Sequence, residues 1–337
     1  MNILNASDKY MTIKRNYKYI PYYLATYTFL ISIIFMPLYQ SGDQTLYRTF
    51  HEIMIENSEL AKSYYIEKIG ASDMGYYYLI KILYFVNKDW LIILANTVIG
   101  ILFGLILRDY NVSKLTVLFL STNYYYFVLL FSLERLKFSI IFILISILIQ
   151  KLYLRYILQG IALFIHTQSI FLIYLIDSYM LLNVGIKEIF YYIRYNLLYV
   201  LFLSACIIFL FICFIDLEKI VSKINFYYSQ PIDDLSAIKS IILLSIIFYL
   251  GGIENIKVPF LTFPIFLVTF FLGGERINII LFSIIIYLSI INNKSNKIFF
   301  TICTYYSISG LAFLINIIKY GNGDNSNIFK LFIRLLE

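Results

Sequence analysis

The stretch "FSLERLKFSII", Phe131 to Ile141, decides how this chain is read: one apolar run closes, two charged residues intervene, and a second apolar run opens. The pattern returns in "FLGGERINIIL", residues 271–281, so Glu134-Arg135 and Glu275-Arg276 each stand between two apolar segments. An Arg at a helix N-terminus opposes the helix dipole by roughly 0.3–1 kcal/mol and adds nothing to packing. Free backbone N–H groups beside a guanidinium do form a good receptor for phosphate. Arg135 and Arg276 are therefore candidate substrate-binding residues, with Glu134 and Glu275 as candidate catalytic neighbours. Two such sites suggest an enzyme handling a lipid-linked phosphate.

Working outward, the 337 residues are 61% hydrophobic and 14% charged, with mean hydropathy +0.80. A soluble domain carries about 25% charged residues. Apolar runs recur at about 20–39, 90–107, 115–131, 138–154, 196–215, 239–253, 258–272, 277–291 and 298–318. Residues 156–182 read as two short helices meeting at His166. The expectation is an all-α, polytopic integral membrane protein of about eleven transmembrane segments, since each run approaches the length needed for a bilayer of ~30 Å. Residues 1–337 form one transmembrane domain in this reading, with a first outer loop at 40–89 and a second at 216–240. Within the first loop, 74–86 is too short to cross and reads as an interfacial or re-entrant helix. The first run is expected to be a retained span and not a signal peptide, because no small-residue cleavage site follows it.

Basic residues set the orientation. With the N-terminus cytoplasmic and residues 156–182 crossing twice, Lys9, Lys14, Arg15, Lys18, Arg108, Lys114, Lys151, Arg155, Lys187, Arg194, Lys257, Lys294 and Lys297 fall on the inner face. Both Glu-Arg sites and His166 then face outward. The net charge of +7 is scattered over loops and is not a nucleic-acid footprint. Cys206, Cys213 and Cys303 lie in apolar runs and read as small hydrophobes. No phosphate-binding glycine loop or dinucleotide fingerprint is present, which argues against an ATP-driven pump. No metal is expected: Asp233-Asp234 lacks a third ligand at suggestive spacing.

His166, in "ALFIHTQSIFL", is the one histidine in an apolar region and a candidate catalytic base or phosphate ligand. His51, in the polar segment, reads as a solvated surface residue. In "QSGDQTLYRTF", Asp43 is a candidate for orienting an acceptor hydroxyl, and Tyr47 and Arg48 follow within about one helical turn as candidate binding residues. Asp177, inside an apolar run, must pair or reach an interface. Tyrosine clusters such as "YYYL" read as interfacial belts, with stacking on sugar rings as the functional alternative.

Four segments in order, "GDQTLYRTF", "DMGYYYLIKIL", "SLERLKFSIIFILIS" and "LQGIALFIHTQSIFLIYLI", resemble those of bacterial O-antigen polymerases of the Wzy/EpsG-like kind. The later "GGERINII" adds the match in the C-terminal half, and Lys137 and Phe138 depart from the small residues many relatives carry. The resemblance implies a GT-C-like fold in the bacterial inner membrane with its active site facing the periplasm. It implies an inverting, metal-independent glycosyltransferase that uses no cofactor and moves a growing glycan from undecaprenyl pyrophosphate onto a lipid-linked repeat unit of lipopolysaccharide. Implied partners are the undecaprenyl-pyrophosphate-linked oligosaccharide, the lipid bilayer, a chain-length regulator and a flippase. An O-antigen ligase, another lipid-linked glycosyltransferase and a polysaccharide transporter are the alternatives.

Overall fold

Asn57, Asn87, Ser113 and Asn123 each end one run of chain and start the next, and the helices follow from those stops. In a computed structural model each of these side chains accepts hydrogen bonds from backbone N–H groups of the turn that follows. Such capping is worth about 1 kcal/mol per helix start. The structure describes residues 18–71, 73–110, 112–149, 151–183, 234–251, 262, 274–291, 297–321 and 323. Every regular element among them is a helix: α1 (Ile20–Phe35), α2 (Asp43–Glu56), α3 (Ser58–Glu67), α4 (Met74–Leu83), α5 (Lys88–Asp109), α6 (Lys114–Ser121) and α7 (Tyr124–Phe131). There follow α8 (Glu134–Leu148), α9 (Leu152–Ile165), α10 (Ser169–Asn183), α11 (Asp234–Gly251), α12 (Gly274–Ile291) and α13 (Lys297–Tyr320).

The chain divides into two units. One comprises Met1–Gln150, Gly160–Thr167 and Asn296–Glu337, the other Lys151–Gln159 and Gln168–Ser295. In the first, α1 lies directly against α5. A Cβ on Gly100 would strike Thr28 and Leu24, and one on Gly104 would strike Pro21, so these two glycines set how closely the helices approach. The Asn96 amide then donates to Ser32 Oγ at 2.9 Å and to the Leu130 carbonyl at 3.0 Å, tying α5 to α1 and α7 with buried polar bonds. On α13, Ser307 donates to the Phe119 carbonyl of α6 at 2.9 Å, and Phe313 packs edge-on against Tyr124 of α7. In the second unit, Ser240 of α11 donates to Asn278 of α12 at 2.7 Å. There too Asp177 Oδ1 accepts from Arg155 Nη2 at 3.1 Å and from Gln159 Nε2 at 3.0 Å, so the acid inside the apolar run is paired.

The polytopic expectation is corrected. Among the described residues two helices, Lys88–Asp109 and Phe300–Tyr320, are long and apolar enough to cross a membrane. A third is added if α6 and α7, bent by 50°, count as one. About eleven crossings in a GT-C-like arrangement are not what these helices form. Hydropathy counted apolar residues without seeing where helices stop. Asn123 breaks the run at 115–131, α1 ends after 16 residues and α9 holds 14. The run that was to begin at 138 instead starts at Glu134, with Lys137 buried in its first turn, and α8 ends after 15 residues. The resemblance to O-antigen polymerases, carried by short sequence segments, implied that architecture and falls with it. So do the glycosyltransferase activity, the lipopolysaccharide role and the multi-pass inner-membrane placement with a periplasmic active site. The expected spans at 196–215 and 258–272, Thr262 apart, and the loop from 216 to 233 lie outside the described residues.

The segment expected as a long polar loop carries α2 and α3 instead, and residues 74–83 form α4. The chain at 156–182 does hold two helices, with His166 in the break between α9 and α10.

Candidate functional site

The site is built at the N-terminal ends of α4 and α8 and at the C-terminal end of α9. Asp73 occupies the N-cap position of α4, where an aspartate normally bonds to the first-turn N–H groups, yet its side chain makes no capping bond. The carboxylate is turned inward instead: Oδ1 accepts from Arg135 Nη1 at 2.6 Å, and Oδ2 lies 2.7 Å from His166 Nδ1. Arg135, in the first turn of α8, also donates through Nε to the Tyr47 hydroxyl of α2 at 3.0 Å. The Tyr65 hydroxyl of α3 fixes the turn by donating to the Asp73 carbonyl at 2.8 Å. Gly75 lets α4 approach the end of α9, since a Cβ there would strike the Phe164 carbonyl. Five helices thus meet around Asp73 and its two partners.

Burial disfavours the charged form of Asp73, but the hydrogen bond from His166 and the charge of Arg135 outweigh it and hold the carboxyl below its ordinary range. An ionised Asp73 fixes the proton of His166 on Nδ1. The side chains of Asp73, His166 and Arg135 are 3%, 9% and 14% exposed, so Arg135 is the least buried of the three. Tyr65 is a further side-chain partner of the guanidinium. Leu133 at the N-cap of α8 supplies no capping oxygen, and the Glu134 N–H is taken by the Ser132 carbonyl at 3.1 Å.

One residue earlier, Glu134 turns into the core. Tyr76 donates its hydroxyl to Oε1, Lys88 Nζ stands 3.3 Å from Oε2, and His51 Nε2 lies 3.7 Å from Oε1. Lys88 donates to Gln44 Oε1 at 2.6 Å, and Gln44 in turn donates to the Phe131 carbonyl at 2.7 Å. Burial opposes ionisation of Glu134, yet Lys88, His51 and Lys137 together hold it well below the usual carboxylate range. Lys137 is fully buried with Nζ 2.5 Å from the Leu130 carbonyl, and burial pushes its ammonium down to about 7 against the pull of Glu134.

Of the residues singled out from sequence, His166, Arg135 and Tyr47 come together around Asp73. Glu134 belongs to the adjoining buried network. Arg48 is occupied elsewhere: Nη1 pairs with Asp89 at 2.9 Å, and Nη2 donates to the Met36 carbonyl at 2.9 Å. Asp43 opens α2. Glu275 and Arg276 lie in α12, in the other unit, and their side chains fall outside the described residues, as does Asp233. His51, expected in solvent, is buried. Asp73, Lys88 and Lys137 were missed as functional residues. An Asp before a helix reads as a cap, and two lysines beside apolar runs read as snorkelling ends. Among the described residues no group of three His, Cys, Asp or Glu could hold a metal ion.

Comparison with protein families, with curated proteins and with solved structures found no match.

Proposed function

We propose that the Arg135–Asp73–His166 group is a receptor for the anionic group of a ligand, phosphate being the chemistry that suits it, with His166 able to exchange a proton with what is bound. The observation that carries this reading is the diverted carboxylate of Asp73, which forgoes its helix cap to orient a guanidinium on one oxygen and an imidazole on the other. An aspartate that gives up a cap worth about 1 kcal/mol to hold two cationic or proton-bearing groups in fixed orientation is positioning them. A guanidinium presents paired N–H donors matched to phosphate oxygens, and the uncapped first turn of α8 adds dipole of the right sign. The near-dry surroundings strengthen each of these interactions.

Calorimetric titration of the purified protein with inorganic pyrophosphate tests the reading. Binding is expected, with proton uptake or release revealed by buffers of different ionisation enthalpy. Arg135→Lys should weaken it, because a point charge does not reproduce the planar fork. His166→Gln should keep binding but lose the proton exchange, since an amide hydrogen-bonds without titrating. Absence of binding to wild-type protein, or equal binding by Arg135→Lys, would overturn the reading.

A further inference from the structure

We infer that the first unit carries a lipid-facing surface along α5 and α13, and that the end of it formed by Lys18, Arg108 and Lys114 meets anionic headgroups. Helix α5 is apolar on two opposite faces. Ile92 and Ile99 are buried against the protein, while Leu94, Val98 and Ile101 form an outward stripe at helical spacing, 53%, 38% and 40% exposed. Helix α13 repeats this, with Leu314 and Ile317 buried and Ile308, Leu311 and Ile315 exposed. A helix that is hydrophobic all round needs an apolar covering on every side, and among the described residues these are the two helices of spanning length and composition.

Charge identifies the covering. The C-terminal end of α5 lies beside the start of α1, because Gly104 meets Ile20 and Pro21, and Val112 bonds back to Leu107 just before α6 begins. Lys18 and Lys114 are therefore neighbours of Arg108 at one end, both exposed, while Arg108 is paired with Asp109 at 2.8 Å. Tyr19, Tyr22 and Tyr110 stand exposed at the same end. Amphipathic rings and lysines at the rim of an apolar surface fit a headgroup layer, and the excess of positive charge fits an anionic one. A second copy of this chain, carrying the same charges on the same end, would not be drawn to it.

Flotation with lipid vesicles tests this on the full chain. Protein freed of detergent should float with phosphatidylcholine vesicles, and more strongly when phosphatidylglycerol is included. Lys18→Gln with Lys114→Gln should still float but lose the preference, by roughly fivefold in partitioning for each lysine. Trp90, the one tryptophan of the chain and 52% exposed at the start of α5, should be quenched by lipids brominated near the headgroup. Leu94→Trp in a Trp90→Phe background should be quenched by bromines placed deeper in the acyl chain. Failure to float, an unchanged preference in the double variant, absence of quenching at both positions, or detergent-free dimers that hide Leu94→Trp from lipid would each overturn the inference.

Discussion

Glu134 and Arg135 are consecutive in the chain and share the first turn of α8, yet they serve different ends. The Glu134 side chain is fully buried and enclosed by Tyr76, Lys88 and His51. Arg135 is tied through Asp73 to His166 and is less completely buried, at 14% exposed. A helical step of about 100° separates a closed polar core from the proposed anion receptor. Buried ionic groups contribute uncertain net stability, but breaking one of them is costly. The difference between the two residues is thus one between holding the fold and presenting a charge.

Substituting each residue in turn separates the two roles. The largest effect should come from Glu134→Gln, which leaves Lys88 buried without its counter-charge. A loss of about 3–5 kcal/mol in unfolding free energy is expected, measured by denaturant titration. Little change would place the fold's polar anchor elsewhere. Arg135→Lys should show the reverse pattern, with nearly native stability and pyrophosphate affinity lower by about tenfold, or ~1.4 kcal/mol.

Acid and base should act on the two residues' neighbours in opposite ways. Asp73 and Glu134 are both held below their ordinary values, so their contribution is complete above the unfolded range near 4 and is lost as pH falls below it. Lys137 is held down at about 7 against 10.5 in the unfolded chain. Between those values the unfolded chain binds more protons, so stability should rise with pH from about 7 toward 10.5. Lys137→Met should flatten that rise in melting temperature measured against pH, and an unchanged slope would remove Lys137 from the core network. The smallest effect is expected from Arg48→Ala. Its pair with Asp89 is about one quarter exposed on both sides, so the cost should be within about 1 kcal/mol. Pyrophosphate binding should stay unchanged, which would separate Arg48 from the ligand site.

What the sequence showed of this arrangement was uneven, for physical reasons. The break at His166 was legible because His-Thr-Gln-Ser interrupts an apolar run, and Arg135 stood out as a cation at the mouth of another. Tyr47 was reached through its neighbours in "GDQTLYRTF". Asp73 was not, because an aspartate before a helix is the ordinary N-cap, and only tertiary structure shows its carboxylate turned away from that duty. Lys137 and Lys88 were hidden for a similar reason: burial of a lysine depends on a carboxylate that lies distant in sequence for Lys88 and one turn away for Lys137. The helical class follows from the long apolar runs, but their number as spans did not. Hydropathy averages over residues such as Asn123, whose single side chain starts a new helix and bends the path by 50°.

In the proposed site Asp73 fixes His166 and Arg135 for an anion. The chain has two histidines, so a nitrogen-15 histidine NMR spectrum contains two imidazoles, and His51→Gln assigns them. His166 should carry its proton on Nδ1 in the free protein, Asp73→Asn should abolish this tautomer preference, and pyrophosphate should shift the imidazole resonances of His166 while leaving those of His51 in place. A His166 signal that ignores both Asp73→Asn and saturating pyrophosphate would contradict it.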